Sequence, residues 1–472
     1  MLPYSGLTYF ALILVIAIPA VFLGLRGRRM VPWILLASVV MLVVHVGNQR
    51  TYLHGASVNV LWIVTGYVLL QWAAARGLLH FRARRATPLG FALALVVALA
   101  PLVTVKFMAV HDPTRGFGFL GISYLSFRVL DVLLGINDRL ITVLSPATYV
   151  SYLLFFPTAS AGPIDRYRRF LGDVSAPRSR PEFLRDLDEG VALLFRGLLY
   201  KFILAAVIET RWLEPASGGR TLASIVSYTY AYSAYLFFDF AGYSALAIAV
   251  ARLFGVRVPP NFDRPFLAGN IVDFWNRWHI SLSTWFRDNI YMRIVLVATK
   301  KKWFQSRYTA SYLAFAVTFV LMGLWHGFRI YFLLYGAYHA TLLIGHSLVN
   351  RWARGRPALV GSSGWRLLGR LVTFNAVCFG FLIFSGHLGN IASAAPSVAQ
   401  ENADLPGILA EPGAPLPADT VHRAPATLTV VDLVPESGIR GFSVEPVPPL
   451  VPTPQHLYFE VSATGDSSCS DR

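Results

Sequence analysis

Long apolar runs recur along this chain and constrain its fold more than any other feature. The clearest are Leu7–Leu25, Val31–Val46, Val58–Ala75 and Leu89–Met108. A hydrocarbon core of about 30 Å requires roughly 20 apolar residues of α-helix to cross it. Hydrophobic residues make up 55% of the sequence and charged residues only 14%, against roughly 25% charged in a soluble domain. The sequence therefore predicts an all-α polytopic membrane protein.

Basic residues cluster between the apolar runs and indicate which loops face the cytoplasm. The clusters lie at Arg26–Arg29, Arg76–Arg85, Arg166–Arg180, Arg252–Arg264, Lys300–Lys302 and Arg351–Arg356. Topology thus accounts for the net charge of +16, and nucleic acid is not expected as a partner. The first run has no basic region before it and no small-residue cleavage site after it. We expect a retained first helix, an N-terminus outside, and a multi-pass location in the inner (cytoplasmic) membrane.

The same rule limits how the polar stretches can cross the membrane. Between the outer loop near His111–Arg115 and the inner loop at Arg166 lie two apolar segments, Phe117–Leu134 and Leu140–Phe156, but parity allows only an odd number of crossings. One of them is predicted to be broken, re-entrant or interfacial. Ile271–Val297 lies between two cytoplasmic clusters and holds at least six charged or amide side chains, so it is predicted to be re-entrant or interfacial too. We expect about ten to twelve spanning helices in a ring.

The composition changes after the last apolar run. Residues 391–472 hold twelve of the 28 prolines, few aromatic residues, and ten acidic side chains against three basic ones. Such a segment cannot bury enough apolar surface to fold by itself. We therefore predict a transmembrane domain over residues 1–390 and a disordered Pro-rich acidic tail over residues 391–472. The two cysteines, Cys378 and Cys469, are too few for a disulfide framework or a cysteine metal site.

Two histidines in apolar surroundings are the candidate functional residues. His279 lies in FWNRWHISLSTWFRDNI, Phe274–Ile290, and His326 follows in LMGLWHG. Ionisable side chains inside a membrane are costly and are functional candidates by default; the alternative is a histidine that only ties two helices together. Gly323 and Gly327 flank the second histidine and would let the chain bend and a substrate approach the imidazole.

Other polar residues of the apolar stretches allow simpler interpretations. His339 and His346 lie on one helical face, which is typical of a packing or interfacial role. The sequence has no HExxH motif and no carboxylate at ligand spacing beside the histidines, so no metal site is predicted. Asp239, which lies between aromatic residues, is either a neutralised packing partner or part of a polar tunnel wall.

Five segments carry a resemblance to a known family. They occur in the order LGISYLSFR, FPTASAGPIDRYRRF, FFDFAGYS, FWNRWHISLSTWFRD and MGLWHG. Together they resemble the membrane-bound O-acyltransferase family, and their sequences look most like the branch that transfers D-alanine. The resemblance covers roughly residues 1–390.

The resemblance implies a ring of helices around a central tunnel that holds both histidines. His326 would lie at the centre as the base, and His279 would lie nearby and orient or polarise the substrate carbonyl. Transfer of an acyl group from a thioester to a hydroxyl requires a base and donors for the developing oxyanion. The residues expected to line the tunnel are Trp275, Asn276, Arg277, Trp325, Asp239 and Tyr243.

The resemblance also implies the substrates and partners. D-Alanine would arrive as a thioester on the phosphopantetheine arm of a small acidic carrier protein in the cytoplasm, and would pass outward to a hydroxyl acceptor of a cell-envelope polymer. The chain itself is expected to bind no cofactor, and a downstream envelope acyl-transfer protein is a second expected partner. An apolar ridge with a basic rim predicts where the carrier docks. The predicted docking residues are Arg293, Ile294, Val295, Lys300, Lys301 and Lys302.

Three other functions are weighed against this one. An alginate-type polysaccharide O-acetyltransferase would use the same chemistry with another donor. A transporter or channel without a covalent step would show an internal repeat with paired broken helices, and none is evident in the sequence. A purely structural assembly factor would tolerate replacement of both histidines without loss of transfer.

Overall fold

The computed structural model describes residues 3–4, 6–47, 49–53, 56–84, 88–111, 119, 121–353, 356 and 362–389. The predicted tail, residues 391–472, lies outside the described residues, and so does most of the predicted outer loop at His111–Arg115. In chain order the helices of the described part are α1 (Leu7–Leu25), α2 (Val31–Val46), α3 (Val60–Arg84), α4 (Pro88–His111), α5 (Ile122–Asn137), α6 (Pro146–Leu153), α7 (Tyr167–Ser175), α8 (Arg180–Ser217), α9 (Leu222–Leu253), α10 (Ile271–Arg277), α11 (Ile280–Phe286), α12 (Met292–Lys300), α13 (Arg307–His326), α14 (Ile330–Ala353) and α15 (Ser363–Ser385).

The few non-α elements are short. A two-stranded antiparallel hairpin, β1 (Arg50–Leu53) and β2 (Ala56–Asn59), connects α2 to α3. Helix α8 contains π-helical stretches at Leu199–Ala205 and Glu209–Leu213, and a further π-helical turn joins α11 to α12. The protein is a helical, polytopic membrane protein, as the sequence predicts.

Seven helices of the described part are long and apolar enough to cross a membrane: α1, α4, α8, α9, α13, α14 and α15. This number is lower than the ten to twelve predicted from the sequence. One reason is that α2 has only 16 residues. Another is that α3, although 25 residues long, carries Gln71 and Arg76 among its apolar residues.

The two apolar segments between the predicted outer and inner loops differ in how continuous their helices are. Helix α5 has 16 residues, but α6 has only eight, a length of about 12 Å at 1.5 Å per residue. Of the two apolar segments, the second is therefore the broken one. Ile271–Val297 is divided among short helices, because α10 and α11 have seven residues each and α12 has nine; it therefore does not cross as one simple helix, as predicted.

Helices α13 and α14 form a close pair through two glycines. A Cβ atom added to Gly323 would lie 2.3 Å from the carbonyl oxygen of Phe332, and one added to Gly336 would lie 2.3 Å from that of Phe319. Small residues let membrane helices approach at backbone distance. Gly323 is therefore required for helix packing, and the substrate approach suggested by the sequence stays a prediction. Gly327 follows the last residue of α13 in an extended conformation.

Candidate active site

His279 lies at a break between two short helices. Its backbone has the left-handed conformation φ 43°, ψ 51°, which ends α10 and starts α11 in a new direction. The residue before it, Trp278, pairs with Phe262 in an isolated antiparallel bridge, which provides partners for part of the freed backbone. The imidazole is 4% exposed and meets the ring of Phe240 on α9 edge-on, with centroids 4.7 Å apart. The polar stretch around His279 is thus a buried, broken helix.

Asn261 connects this histidine to three other elements. Its Oδ1 accepts a hydrogen bond of 2.6 Å from the hydroxyl of Ser281, and its Nδ2 donates one of 3.1 Å to Ser244 on α9. Ser281 in turn accepts one from the backbone N–H of Ile164. Nδ1 of His279 lies 3.4 Å from Oδ1 of Asn261. Because this oxygen is an acceptor, we assign the proton of a neutral His279 to Nδ1, which leaves Nε2 as the basic nitrogen.

A fully buried arginine shapes the loop that leads to Ile164. Arg128 on α5 is 1% exposed, and its guanidinium donates hydrogen bonds of 2.8 and 2.9 Å to the carbonyls of Tyr152 and Leu153. It also donates to the hydroxyl of Thr158. A buried guanidinium is stable only with such partners. The sequence presents Arg128 only as a polar residue in an apolar background, and its role appears only when α5 meets this loop.

Ion pairs hold the other end of the same loop. Arg166 pairs with Asp131 on α5 at 2.9 Å and with Asp288, next to α11, at 3.1 Å. Asp165 is 2% exposed and pairs with Arg169 at 2.6 Å. Burial raises the pKa of the Asp165 carboxyl to about 6, although Arg169 opposes the shift. This loop is therefore more than the basic topological signal that its sequence indicates.

His326 is the last residue of α13. Its ring meets those of Trp325 and Phe384 edge-on, with centroids 4.6 and 4.9 Å apart. The residue is partly exposed, and within the described part of the chain neither ring nitrogen has a hydrogen-bond partner. Its backbone carbonyl accepts a hydrogen bond of 3.1 Å from the ammonium of Lys106 on α4. Sequence reasoning missed Lys106, because 220 positions separate the two residues.

The structure brings the two candidate histidines into one region. Trp325, beside His326, packs against Phe127 with ring centroids 5.0 Å apart, and Phe127 packs against Trp285 of α11 at 4.6 Å. An aromatic layer therefore connects the end of α13 to the broken helix that carries His279.

The predicted tunnel residues of α10 lie at different places. Trp275 is buried against His339, with ring centroids 5.1 Å apart, and against Phe319 at 5.0 Å. Asn276 is partly buried. Arg277 pairs with Asp273 at 2.7 Å and lines a separate cavity. His346 lines that same cavity, whereas His279 and His326 do not. Arg277 is therefore displaced from the histidines with which the sequence groups it.

The two tunnel residues predicted on α9 are engaged by neighbouring helices and loops. Asp239 forms an ion pair of 2.5 Å with Lys201 on α8, which supports the neutralised-partner alternative. Tyr243, one turn further along α9, shares a hydrogen bond of 2.5 Å with Ser160. Tyr243 also meets the ring of Tyr4 edge-on. These contacts attach α9 to the loop held by Arg128.

The predicted carrier-docking residues lie on α12 and in the turn after it. The apolar side chains exposed there differ from the predicted Ile294 and Val295. Arg293 pairs with Asp138, and Ile294 and Val295 are half-buried. Lys300, Lys301 and Lys302 are exposed. The apolar side chains that are exposed beside these lysines are Met292, Leu296, Val297, Trp303 and Phe304. The apolar ridge is thus shifted around α12 and continues past its C-terminus.

Among the described residues, no group of three or more His, Cys, Asp or Glu side chains is arranged to hold a metal ion. The candidate site offers two imidazoles in a largely aromatic and apolar setting. Such a setting strengthens electrostatic interactions with a reacting group. A partly exposed imidazole at the end of a helix is suited to exchange a proton with a substrate hydroxyl.

Comparison with known proteins identifies the family. The model of the MBOAT, membrane-bound O-acyltransferase, family matches residues 34–385. The chain belongs to the membrane-bound O-acyltransferase family. It is an acyltransferase, and residues 34–385 include both candidate histidines and the whole network around them.

The relatives that this chain matches are named for two different activities. The chain is 37% identical to the "Teichoic acid D-alanyltransferase" of Bacillus subtilis over 82% of its own length and 98% of the relative's. The protein of the same name from Lacticaseibacillus rhamnosus is 35% identical over 82% and 98%. A "Probable alginate O-acetylase AlgI" of Pseudomonas syringae is 30% identical over 56% of this chain and 48% of the relative.

Proposed function

We propose that this acyltransferase moves a D-alanyl group from a carrier-protein thioester to a hydroxyl of a teichoic acid or a similar cell-envelope polymer. The D-alanyltransferase relatives match it along 96–98% of their own length, whereas the alginate O-acetylase relative matches along 48%. The observation at the site that carries the proposal is the imidazole of His326, which is partly exposed and has no hydrogen-bond partner in the described part of the chain.

His326 is the proposed base. An unprotonated ring nitrogen removes the proton of the acceptor hydroxyl while the oxygen forms a bond to the thioester carbonyl carbon. The tetrahedral intermediate collapses by breaking the carbon–sulfur bond, and the leaving thiolate takes the proton that His326 holds. The products are the D-alanyl ester and the free phosphopantetheine thiol. This direct transfer requires no serine or cysteine nucleophile in the protein.

His279 has the supporting role of orienting a substrate. The acceptor oxygen of Asn261 leaves Nε2 of His279 unprotonated, so this nitrogen accepts a hydrogen bond. It is therefore suited to orient the acceptor hydroxyl or an N–H group of the donor arm. Polarising the carbonyl would require a protonated Nε2, so orientation is the role we retain.

The acidic carrier protein is proposed to dock at α12 and the turn after it. Leu296 is 62% exposed and Trp303 is 52% exposed, and Lys300–Lys302 form a basic rim beside them. Apolar contact provides affinity, and opposite charge raises the association rate. The phosphopantetheine arm belongs to this partner, and the chain supplies no cofactor of its own.

The remaining parts of the proposal concern organisation in the membrane. Residues 1–390 form the acyltransferase domain and residues 391–472 a separate acidic tail. Trp275, Asn276 and Trp325 remain proposed walls of the tunnel. The N-terminus faces outward across the inner (cytoplasmic) membrane, with the basic clusters in the cytoplasm. On the outer side, a further envelope acyl-transfer protein is the proposed partner that receives or relays the D-alanyl group.

A donor-exchange experiment tests this function. The purified protein in proteoliposomes is given a carrier loaded with radiolabelled D-alanine or, separately, with acetate, together with lipoteichoic acid. We expect transfer of the D-alanyl label that depends on His326 and little transfer of acetate. Preferred transfer of acetate would instead support the alginate-type polysaccharide O-acetyltransferase. If the intact, folded protein transfers neither label to lipoteichoic acid, the result would support a function without acyl transfer to this acceptor.

A further inference from the structure

An acyl transfer at His326 requires a hydrogen-bond donor for the oxyanion that forms on the thioester carbonyl. When the acceptor oxygen adds to this carbonyl, negative charge develops on the carbonyl oxygen, and a donor placed there speeds the reaction. Nε2 of His279 is the basic nitrogen and accepts a hydrogen bond, and the ammonium of Lys106 donates to the backbone carbonyl of His326. The chemistry therefore calls for a further donor near His326.

Tyr124, the third residue of α5, lies one aromatic ring away from the proposed base. Its ring meets the ring of Trp325 edge-on, with centroids 5.8 Å apart, and the ring of Trp325 meets that of His326 with centroids 4.6 Å apart. Phe127, about one turn further along α5, contacts the same tryptophan at 5.0 Å. One face of α5 is thus packed on the residue that precedes His326.

The start of α5 is held in place by a glycine with a left-handed backbone. Gly121 precedes the helix with φ 93° and ψ −4°, a conformation that other residues adopt only at a cost. A Cβ atom added there would lie 2.5 Å from the carbonyl oxygen of Ala159, so α5 starts directly against the loop that Arg128 holds. Tyr124 follows within one turn of this contact, so its backbone is fixed before a substrate binds. A donor to a developing charge requires such preorganisation.

The hydroxyl of Tyr124 is available to a ligand. The residue is partly exposed, and within the described part of the chain its hydroxyl has no hydrogen-bond partner, whereas buried tyrosine hydroxyls usually have one. The indole N–H of Trp325 also lacks a partner among the described residues, but this atom is shielded from solvent. An accessible donor meets an incoming carbonyl oxygen without rearrangement, and this favours Tyr124 over Trp325.

We propose that Tyr124 is a catalytic residue that donates a hydrogen bond to the oxyanion. This role rests on the proposed function, with His326 as the base. As the acceptor oxygen bonds to the carbonyl carbon, the π-electron pair of the carbonyl moves to its oxygen, and the O–H of Tyr124 stabilises that charge without giving up its proton. When the carbon–sulfur bond breaks, the electron pair returns to form the ester carbonyl, and the leaving sulfur takes the proton that His326 holds.

Single-turnover transfer from a D-alanyl-loaded carrier to lipoteichoic acid in proteoliposomes tests this role. Tyr124→Phe keeps the ring that contacts Trp325 and should lower the maximal rate constant about 10²-fold, with unchanged half-saturating concentrations of both substrates. Tyr149→Phe is the matched control, because Tyr149 also contacts a tryptophan, Trp72, and its hydroxyl has no partner in the described part of the chain. It should retain the wild-type rate. Melting temperatures in detergent show that both variants are folded.

A graded change at the same position separates catalysis from packing. 3-Fluorotyrosine incorporated at position 124 has a more acidic hydroxyl and is a stronger donor, so transfer should be faster than in wild type. The oxyanion role would be overturned by a Tyr124→Phe rate within about threefold of wild type, by an effect confined to the half-saturating concentration of lipoteichoic acid, or by no gain with 3-fluorotyrosine. Each of these results leaves the proposed function standing, whereas a wild-type protein that transfers no D-alanine would overturn both.

Discussion

The ammonium of Lys106 on α4 donates a hydrogen bond of 3.1 Å to the backbone carbonyl of His326, the last residue of α13. Carbonyls in the last turn of a helix have no intrahelical partner, and a cation there is favourable. Lys106 therefore fixes the end of α13 and, through it, the position of the proposed base. We regard Lys106 as a positioning residue, since it contacts the backbone of His326.

Replacing Lys106 with Met should lower kcat at least about tenfold, because displacing a catalytic base by as little as about 1 Å slows the reaction strongly. KM for the loaded carrier should stay unchanged, since the carrier is proposed to dock at α12. Lys106→Arg keeps a cation and should restore most of the activity. Thr104→Met on the exposed side of α4 is the control. Steady-state kinetics in proteoliposomes measure both parameters. If Lys106→Arg were as inactive as Lys106→Met, or if Lys106→Met left kcat unchanged, Lys106 would not be a positioning residue.

The stability of the protein should depend on pH through Asp165. Its folded-state pKa is raised to about 6 by burial, so between about pH 4 and 6 the folded state binds more protons than the unfolded state. The free energy of unfolding therefore falls as the pH rises through this range, by roughly 2–3 kcal/mol. Asp165→Asn should lack this pH-dependent part of the free energy of unfolding. As the pH rises, the melting temperature of wild type should therefore fall relative to that of the variant. Melting temperatures in detergent at pH 4, 5, 6 and 7 measure the difference. A relative gain by wild type would show that Arg169 dominates over burial.

The break in the helix around His279 could be predicted from the sequence, because its signal is local. An apolar chain that holds Asn276, Arg277 and His279 between two cytoplasmic clusters cannot cross the membrane as a simple helix. The structure adds what breaks it, namely the left-handed backbone at His279 and the pairing of Trp278 with Phe262. The pairing depends on Phe262, which lies in a segment earlier in the chain.

Residues that act across long sequence distances could not be found in the same way. Lys106 and Arg128 each contact backbone carbonyls, and a carbonyl partner leaves no trace in the identity of the residue that provides it. Asn261 presents a weaker signal as an amide in a connecting loop, but its role depends on Ser244 and Ser281 from two different helices. Arg277 illustrates the opposite case, because proximity in sequence to His279 does not place it at the same site.

Carrier docking at α12 can be tested with one exposed apolar residue and the basic rim. Leu296→Asp should weaken carrier binding at least about tenfold even at low salt, because it puts a charge into the apolar contact. Changing Lys300, Lys301 and Lys302 together to Glu should mainly lower the association rate. Leu296 is a cleaner choice than Ile294, which is half-buried and also contributes to packing.

Surface plasmon resonance with the protein in detergent measures both effects on docking. Leu184→Asp is the matched control, since Leu184 is 47% exposed near the start of α8. Unchanged carrier affinity in the Leu296 variant and the lysine variant would assign this surface to topology alone.

The central claim is that His326 is the base of an acyl transfer. Single-turnover transfer from a D-alanyl-loaded carrier in proteoliposomes tests it most directly, with wild type, His326→Ala, His279→Ala and His346→Ala compared at equal amounts of folded protein. His346 is the control histidine, because it lines the separate cavity. We predict that His326→Ala loses at least 99% of the rate, in line with the ~10²–10⁴-fold contribution of a general base, that His279→Ala loses less, and that His346→Ala retains wild-type activity. A His326→Ala protein that transfers D-alanine above about a tenth of the wild-type rate would contradict the account.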